Sequence, residues 1–214
     1  EIVMESFAIL IDGGFARRKL SEKLGSGQSL TSLDFSKLIY NIQNHHVFKD
    51  KKLYRVFYYD AFPSDEKLTN PIDSSVFDLS ATSLSSDSKR LFSDLMRLPL
   101  FALRMGKTST NGRTWKVKPS ILKLANGNAI TVNARDIQPN ISQKGVDMKI
   151  GLDMATLALK KQVSALVLIT GDSDFVPAIK LARTEGVQIY LANMGHSIKP
   201  EMYEHIDVLL DSIY

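Results

Sequence analysis

Short apolar runs alternate along the chain with segments whose apolar residues recur every three or four positions. The clearest run is 166–169, and comparable runs occupy 7–11, 53–59, 100–104 and 187–191. Continuous apolar runs of this length are typical of strands that are buried on both faces of a parallel sheet. The segments between them have the periodicity of amphipathic helices. This alternation predicts an α/β fold in which helices cover both faces of a mostly parallel sheet.

Two stretches interrupt this alternation. Residues 61–90 contain many serines and show little periodicity, which predicts a serine-rich surface loop before helical patterning resumes at Lys89. In residues 107–143, apolar positions flank Asn126-Gly127, a dipeptide typical of tight β-hairpin turns. We therefore predict a single domain over residues 1–214 that carries a basic β-hairpin insertion at 107–143.

Acidic residues follow several of the predicted strands. Asp12 follows the first strand, Asp60 the second, and Asp172 and Asp174 the run at 166–169. Asp147 heads the apolar stripe of a predicted helix. Because the carboxyl ends of parallel strands meet at one edge of the sheet, we expect Asp12, Asp147, Asp172 and Asp174 to converge there.

Crowded carboxylates repel one another, which raises their pKa values, and a bound cation relieves that repulsion. Oxygen ligands alone favour Mg²⁺ or Mn²⁺ over zinc. Such a site can orient a water molecule and stabilise charge on a phosphodiester. The alternative is purely structural, with Asp174 as a helix N-cap and Asp172 as a turn residue.

Charge and composition narrow the classes of function. The net charge is +4, and residues 100–149 carry nine lysines and arginines against two acids, as expected for a surface that binds a polyanion. The chain has no cysteine, which excludes disulfides and thiol catalysis and is compatible with the cytoplasm, where we expect the protein. No run of eighteen apolar residues occurs, so we expect no membrane association. Glycine-rich nucleotide motifs, Gly-x-Ser-x-Gly and HExxH are also missing.

Four segments together resemble the NYN domain, and specifically its LabA-like branch. They are Ile9-Leu10-Ile11-Asp12-Gly13, Tyr58-Tyr59-Asp60, Lys144-Gly145-Val146-Asp147 and Thr170-Gly171-Asp172-Ser173-Asp174-Phe175. The resemblance implies a Rossmann-like three-layer sandwich similar to that of PIN-domain nucleases, an acidic Mg²⁺ or Mn²⁺ site, and RNA as the substrate. Many members of the family have Asn where this chain has Phe15.

Carried onto this chain, the resemblance implies metal ligation by Asp12, Asp147 and Asp172. Asp174 lies close by and completes the predicted catalytic set. Asp60 and Asp153 are second candidates, although an exposed ion pair with Lys149 is the favoured role for Asp153. The predicted substrate-binding residues are Arg17, Arg18, Lys116, Lys118, Lys144 and Ser173.

Trp115 and the lysines near it, Lys116, Lys118 and Lys123, predict either a stacking and phosphate-binding platform for single strands or a tryptophan that covers the core beside solvated lysines.

Three functions remain open from the sequence. The first is a Mg²⁺- or Mn²⁺-dependent endoribonuclease, with DNA as a possible further substrate. The second is a phosphohydrolase of the haloacid dehalogenase type, which needs a second acid two residues after the first strand's aspartate, where this chain has Gly14. The third is a nucleic-acid-binding or scaffold module whose acidic site is vestigial.

Overall fold

Eleven strands and seven helices make up the regular structure of residues 5–211 and 213, the part of the chain that this computed structural model describes. The strands are β1 (Ser6–Asp12), β2 (Lys52–Phe62), β3 (Lys67–Thr69), β4 (Val76–Asp78), β5 (Phe101–Ser109), β6 (Trp115–Val117), β7 (Ile137–Pro139), β8 (Ser142–Lys144), β9 (Ala165–Ile169), β10 (Gln188–Ala192) and β11 (Val208–Leu209). The helices are α1 (Gly13–Leu24), α2 (Ser32–Gln43), α3 (Ser83–Leu95), α4 (Pro119–Ala125), α5 (Val146–Leu159), α6 (Val176–Thr184) and α7 (Pro200–Tyr203).

Seven strands form the main sheet, in the order β11-β10-β9-β1-β2-β5-β8. Its neighbouring strands run parallel except for β8, which is antiparallel to β5. The central strands β1 and β9 are almost wholly apolar and buried, as expected for the middle of a parallel sheet. The prediction of a mixed α/β fold with a mostly parallel sheet is confirmed.

Alternate residues of β1 pack into two separate cores, one on each face of the sheet. Phe7, Ile9 and Ile11 face a core that includes residues of α1, α2 and α3. Ala8 and Leu10 face a core that includes residues of α5, α6 and α7. From β1 the chain continues to β2 on one side, whereas β9 lies on the other, so the strand order reverses at the β1–β9 pair. Parallel sheets bind ligands beyond the carboxyl ends of the strands at such a point.

The prediction of a continuous surface loop over 61–90 is wrong. Strand β2 continues to Phe62, β3 and β4 form a small antiparallel hairpin, and α3 begins at Ser83. The serines were misleading because four of them belong to α3 and not to a loop: Ser83, Ser85, Ser86 and Ser88. The Thr82 hydroxyl accepts a hydrogen bond from the Ser85 amide at 3.2 Å and caps this helix.

The insertion at 107–143 contains a two-stranded ribbon, but its predicted turn is wrong. Strands β6 and β7 pair antiparallel, with helix α4 lying between them in the chain. Asn126 has a left-handed conformation, φ 44°, at the end of α4, and Gly127 has φ 84°. Asn-Gly supplies positive φ angles at a helix end as readily as at a hairpin turn, so the dipeptide alone did not distinguish the two.

Two further predictions concern the extent of the domain and the membrane. The predicted single domain over 1–214 includes residues 1–4, 212 and 214, which lie outside the described residues. Within the described ranges, the helices are all too short or too polar to cross a membrane.

Candidate active site

Asp12 ends β1 and at the same time caps helix α1. Its Oδ1 accepts a hydrogen bond from the Phe15 amide at 3.1 Å, and its Oδ2 accepts one from the Thr170 hydroxyl at 3.0 Å. The turn into α1 needs glycine, because a Cβ at position 13 would lie 2.6 Å from the Tyr59 carbonyl oxygen. The Asp-Gly pair therefore starts α1 directly at the end of the strand, with the Asp12 carboxylate held from two sides.

Asp172 and Asp174 follow β9 in a short 3₁₀ turn that leads into α6. The Thr170 hydroxyl accepts a hydrogen bond from the Asp172 amide at 3.1 Å, and Asp172 Oδ1 accepts one from the Asp174 amide at 3.0 Å. Thr170 thus links Asp12 to the backbone of Asp172. Asp174 is exposed. The structural alternative from the sequence is correct in placing Asp172 in a turn, which its carboxylate caps, but wrong in making Asp174 the helix N-cap, since Phe175 holds that position in α6. It also does not account for the nearness of Asp12.

Asp147 lies in the first turn of α5 and is exposed. Gly145 precedes the helix with φ 78°, a conformation that favours glycine. The prediction that Asp147 heads the buried stripe is wrong, because the stripe begins at its neighbour Val146 and continues through Ile150 and Met154. Asp147 is instead exposed, and its charge interacts with those of Asp172 and Asp174.

The four acids Asp12, Asp147, Asp172 and Asp174, hereafter the acidic edge, interact through their charges. Burial raises the pKa of Asp12, hydrogen bonds from Phe15 and Thr170 lower it, and the charges of Asp147 and Asp172 raise it further. Desolvation also raises the pKa of Asp147, and the charges of Asp172 and Asp174 add to the effect. The charge of Asp147 on α5 thus acts on the acids that follow β1 and β9.

The donor chemistry of the acidic edge fits Mg²⁺ or Mn²⁺, because it consists of carboxylate oxygens in mutual repulsion. However, among residues 5–211 and 213, no three acidic or histidine side chains already stand together as a metal-binding group. An ion held by Asp12, Asp147 and Asp172 together therefore requires these side chains to move from their present positions.

A cleft of about 300 Å³ lies at the acidic edge and is lined by Asp12, Phe15, Arg18, Gly171, Asp172 and His196. The His196 ring contacts Phe15 edge-on, with the ring centroids 5.7 Å apart. A Cβ at position 171 would lie 2.5 Å from His196 Cδ2, so glycine is required for this close approach.

Sequence reasoning missed His196 and Thr170. His196 follows β10, which pairs with β9, and this pairing brings the histidine to the cleft. No local motif marks it. Thr170 gave a signal that was overlooked, since a threonine between a buried strand and Gly-Asp is well placed to bond neighbouring backbone and carboxylate groups.

Asp60 lies inside β2 and is fully buried. Its carboxylate accepts hydrogen bonds from the Tyr58 hydroxyl at 2.9 Å and Gln143 Nε2 at 2.7 Å, and it pairs with Arg17 Nε at 3.3 Å. The prediction that its strand ends at this acid is wrong. A carboxylate enclosed by this many donors stabilises the contact between β2 and α1 and is poorly placed to bind an ion.

Asp153 is also held by other side chains. It accepts two hydrogen bonds from the Arg104 guanidinium, at 2.7 and 2.8 Å, and one from the Tyr59 hydroxyl at 2.9 Å. The predicted exposed ion pair with Lys149 is wrong, because Arg104 on β5 takes that role. This cluster joins α5 to β2 and β5.

The structure divides the predicted substrate-binding residues by their accessibility. Arg18, Lys116 and Lys144 are exposed, and Arg18 lines the cleft at the acidic edge. Arg17 donates to the Ser88 hydroxyl at 2.8 Å in addition to its pairing with Asp60.

Ser173 and Lys118 are less free than predicted. Ser173 is buried, and its hydroxyl accepts a hydrogen bond from Lys199 Nζ at 3.0 Å. Lys118 Nζ donates to the Arg135 carbonyl at 2.6 Å. Both side chains already stabilise local structure.

Trp115 packs edge-on against Phe77 of β4, with the ring centroids 6.3 Å apart, and its indole nitrogen is buried. The ring therefore covers the contact between the two small sheets. Whether it also stacks on single strands stays a prediction.

Comparisons with known proteins give a family and a similar fold. The NYN domain family matches residues 102–208. No curated protein sequence matches the chain significantly. A crystal structure of a protein of unknown function from Vibrio parahaemolyticus is similar in fold, with a TM-score of 0.54 and 14% sequence identity over 100% of this chain and 98% of that chain.

Proposed function

The chain belongs to the NYN domain family, and from this premise we propose that it is a metal-dependent endoribonuclease of the LabA-like branch with a PIN-like fold. The observation that supports the proposal is that the charges of Asp12, Asp147 and Asp172 act on one another near the carboxyl edge of the sheet. Metal-dependent phosphodiester hydrolysis uses oxygen donors of this kind to hold the ion.

We assign metal ligation to Asp12, Asp147 and Asp172, and place Asp174 beside them in the catalytic set. Bound Mg²⁺ or Mn²⁺ would supply charge stabilisation at the phosphodiester and lower the pKa of an attacking water. Arg18 lines the same cleft and is exposed, so it is positioned to contact a substrate phosphate. The exposed lysines Lys116 and Lys144 contribute to holding the rest of the RNA.

The direct test is cleavage of labelled RNA and DNA with Mn²⁺, Mg²⁺ or EDTA. We expect RNA cleavage that depends on the metal and falls by at least about a hundredfold in Asp147→Asn, the scale typical for loss of a charge-stabilising group in a preorganised site. RNA affinity should stay constant or rise, because a negative charge facing phosphate is removed. Asp136→Asn, an acid-to-amide change in the insertion, is the matched control and should cleave like the parent.

Metal binding has a readout that is independent of activity. Titration with Mn²⁺ should raise the thermal midpoint of the parent, because an ion that binds only the folded state stabilises it. Asp172→Asn should remove this gain and still fold, since asparagine also caps the turn. A variant that responds to Mn²⁺ as the parent does would place the ion elsewhere.

One observation favours a second function, a nucleic-acid-binding module with a vestigial acidic site. Phe15, where many relatives have asparagine, packs against His196 inside the cleft, and the acids of residues 5–211 are not already grouped as a coordination sphere. If the parent binds RNA but cuts none in Mn²⁺, and binding survives Asp147→Asn, this second function replaces the first.

A further inference from the structure

A second, smaller cavity lies beside the acidic edge, where α3 approaches the end of β2 and the insertion. It has a volume of about 160 Å³. Its apolar wall includes Leu79, Leu84 and Ile141, and its polar wall includes Arg17, Ser85 and Gln143. Pockets for drug-sized ligands measure about 300–1,000 Å³. This cavity is therefore sized for a single small ring system.

The Ser85 hydroxyl in this cavity has no hydrogen-bond partner within the described residues, although Ser85 is only 1% exposed. Other hydroxyls in the same wall are engaged: Thr82 donates to the Leu79 carbonyl at 2.9 Å, and Thr108 donates to the Phe62 carbonyl at 2.6 Å. Leaving a buried hydroxyl unpaired is unfavourable, so such a group calls for a function or an absent partner. Ser85 thus offers an unused donor to a ligand.

The charge of the cavity indicates a neutral ligand. Arg17 is its cation, but the buried carboxylate of Asp60 lies 3.3 Å from Arg17 Nε, and Ser88 takes a further N–H at 2.8 Å. A phosphate placed here would meet a guanidinium that is already neutralised. A neutral ring with polar edges suits the apolar wall and the free donor better.

Gln143 connects the cavity to the acidic edge. Its Nε2 donates to Asp60, which leaves the amide oxygen Oε1 as an acceptor. Both Gln143 Oε1 and Asp12 Oδ1 lie within 4 Å of the position that a Cβ on Gly14 would occupy, at 3.8 and 3.7 Å. A ligand in the cavity is therefore adjacent to the proposed cleavage site.

We propose that this cavity binds one nucleobase of the RNA substrate, next to the phosphate at the acidic edge. The Ser85 hydroxyl donates to the base edge, the Gln143 amide oxygen accepts from it, and the leucine and isoleucine side chains contact its faces. Single-stranded RNA is commonly recognised through such splayed-out bases. This inference rests on the proposed function, for which it names a specificity-determining subsite.

Binding in EDTA separates base recognition from catalysis. Short homopolymers of U, C, A and G are titrated against the parent, Ser85→Ala and Ser86→Ala. We expect one homopolymer to bind the parent about five- to tenfold more tightly than the others, the range of one or two hydrogen bonds. Ser85→Ala should abolish the preference. Ser86→Ala, the same change at an exposed neighbour in α3, should keep it.

Stability measurements test whether Ser85 has a structural role instead. Without RNA, Ser85→Ala should be at least as stable as the parent, because an unpaired buried hydroxyl is removed and alanine favours helices. A clear loss of stability would mean that the hydroxyl has a protein partner, and would overturn the proposal. Ser85→Leu, which fills the cavity, should weaken only the preferred homopolymer.

Two experimental results would distinguish the base-binding site from the proposed ribonuclease activity. Metal-dependent cleavage by a parent that binds all four homopolymers equally would overturn the base site and leave the ribonuclease intact. A base preference abolished by Ser85→Ala, in a parent that cuts no RNA, would support the base site and overturn the ribonuclease.

Discussion

At the scale of single residues, Asp147 shows how placement changes an ordinary carboxyl group. It is exposed, yet desolvation and the charges of Asp172 and Asp174 raise its pKa in the folded protein. A carboxyl whose folded pKa is raised favours folding below its unfolded pKa, and this contribution is lost as the pH rises through the folded pKa. Ionised Asp147 therefore destabilises the metal-free protein at neutral pH.

Asp147→Asn should consequently raise the thermal midpoint of the metal-free protein at pH 7, and the gain should disappear as the pH falls below the ordinary carboxyl value of 3.8. Thermal unfolding in EDTA across this pH range measures it. Asp136→Asn should instead lower the thermal midpoint at pH 7. Hydrogen bonds from Asn133 lower the pKa of Asp136, so its ionised form stabilises the folded protein. A lower midpoint for Asp147→Asn at pH 7 would contradict the repulsion at the acidic edge.

The residues of the site were predictable to the extent that local sequence determines them. Asp12 and Asp172 follow apolar strands, and the parallel sheet brings such positions together. His196 was not predictable, because its place beside Gly171 depends on the pairing of β10 with β9 and on a loop without a motif. The prediction that a strand ends at Asp60 was wrong because β2 continues to Phe62, although Asp60 follows an apolar run.

At the scale of elements, the long apolar strands and the amphipathic helices α1 and α2 were predictable, because periodicity reports burial directly. The insertion and the serine-rich segment were not. Their short strands pair mostly with each other, and neither β3–β4 nor β6–β7 joins the main sheet. Short ribbons bury too few residues to impose a period on the sequence.

The cluster of Asp153, Arg104 and Tyr59 gives a prediction at this scale, because it joins one helix to two strands. Asp153→Ala leaves the buried Tyr59 hydroxyl unpaired and should lower the free energy of unfolding by about 1–3 kcal/mol. Tyr59→Phe removes a single hydrogen bond and should cost about 1 kcal/mol. Denaturant unfolding measures both.

The Mn²⁺ response distinguishes this structural role from metal ligation. Asp153→Ala should keep the full rise in thermal midpoint on titration with Mn²⁺, since its carboxylate is already occupied by Arg104. Loss of that response in a variant of unchanged stability would make Asp153 a ligand.

At the scale of the whole molecule, the distribution of charge matters more than its sum. The net charge is only +4, but basic residues concentrate in 100–149, which includes β5, the insertion and β8. Lys116 and Lys144 are exposed within this region. In the proposed function, this one segment supplies both Asp147 and basic residues that hold the RNA.

Replacing Lys116 and Lys144 together by alanine should weaken RNA binding and flatten its salt dependence. Each lost phosphate contact with a single strand reduces the slope of log K against log salt by about 0.7. The control is the double alanine variant of Lys160 and Lys161, which are exposed between α5 and the start of β9, at the opposite end of that strand from the acids. Equal slopes for the two variants would exclude Lys116 and Lys144 as phosphate contacts.

The double role of Asp12 has a consequence for how this protein can change over generations. Its carboxylate starts helix α1 and bonds Thr170, whereas Asp147 makes no side-chain hydrogen bond within residues 5–211. A substitution at Asp12 that removes both acceptor oxygens, such as alanine, therefore weakens folding as well as the proposed chemistry. Selection for a stable chain preserves a capping side chain there even where the proposed catalysis has become useless. In descendants that have lost the activity, the first aspartate to drift should be Asp147, and an intact Asp12 is a poor marker of a working enzyme.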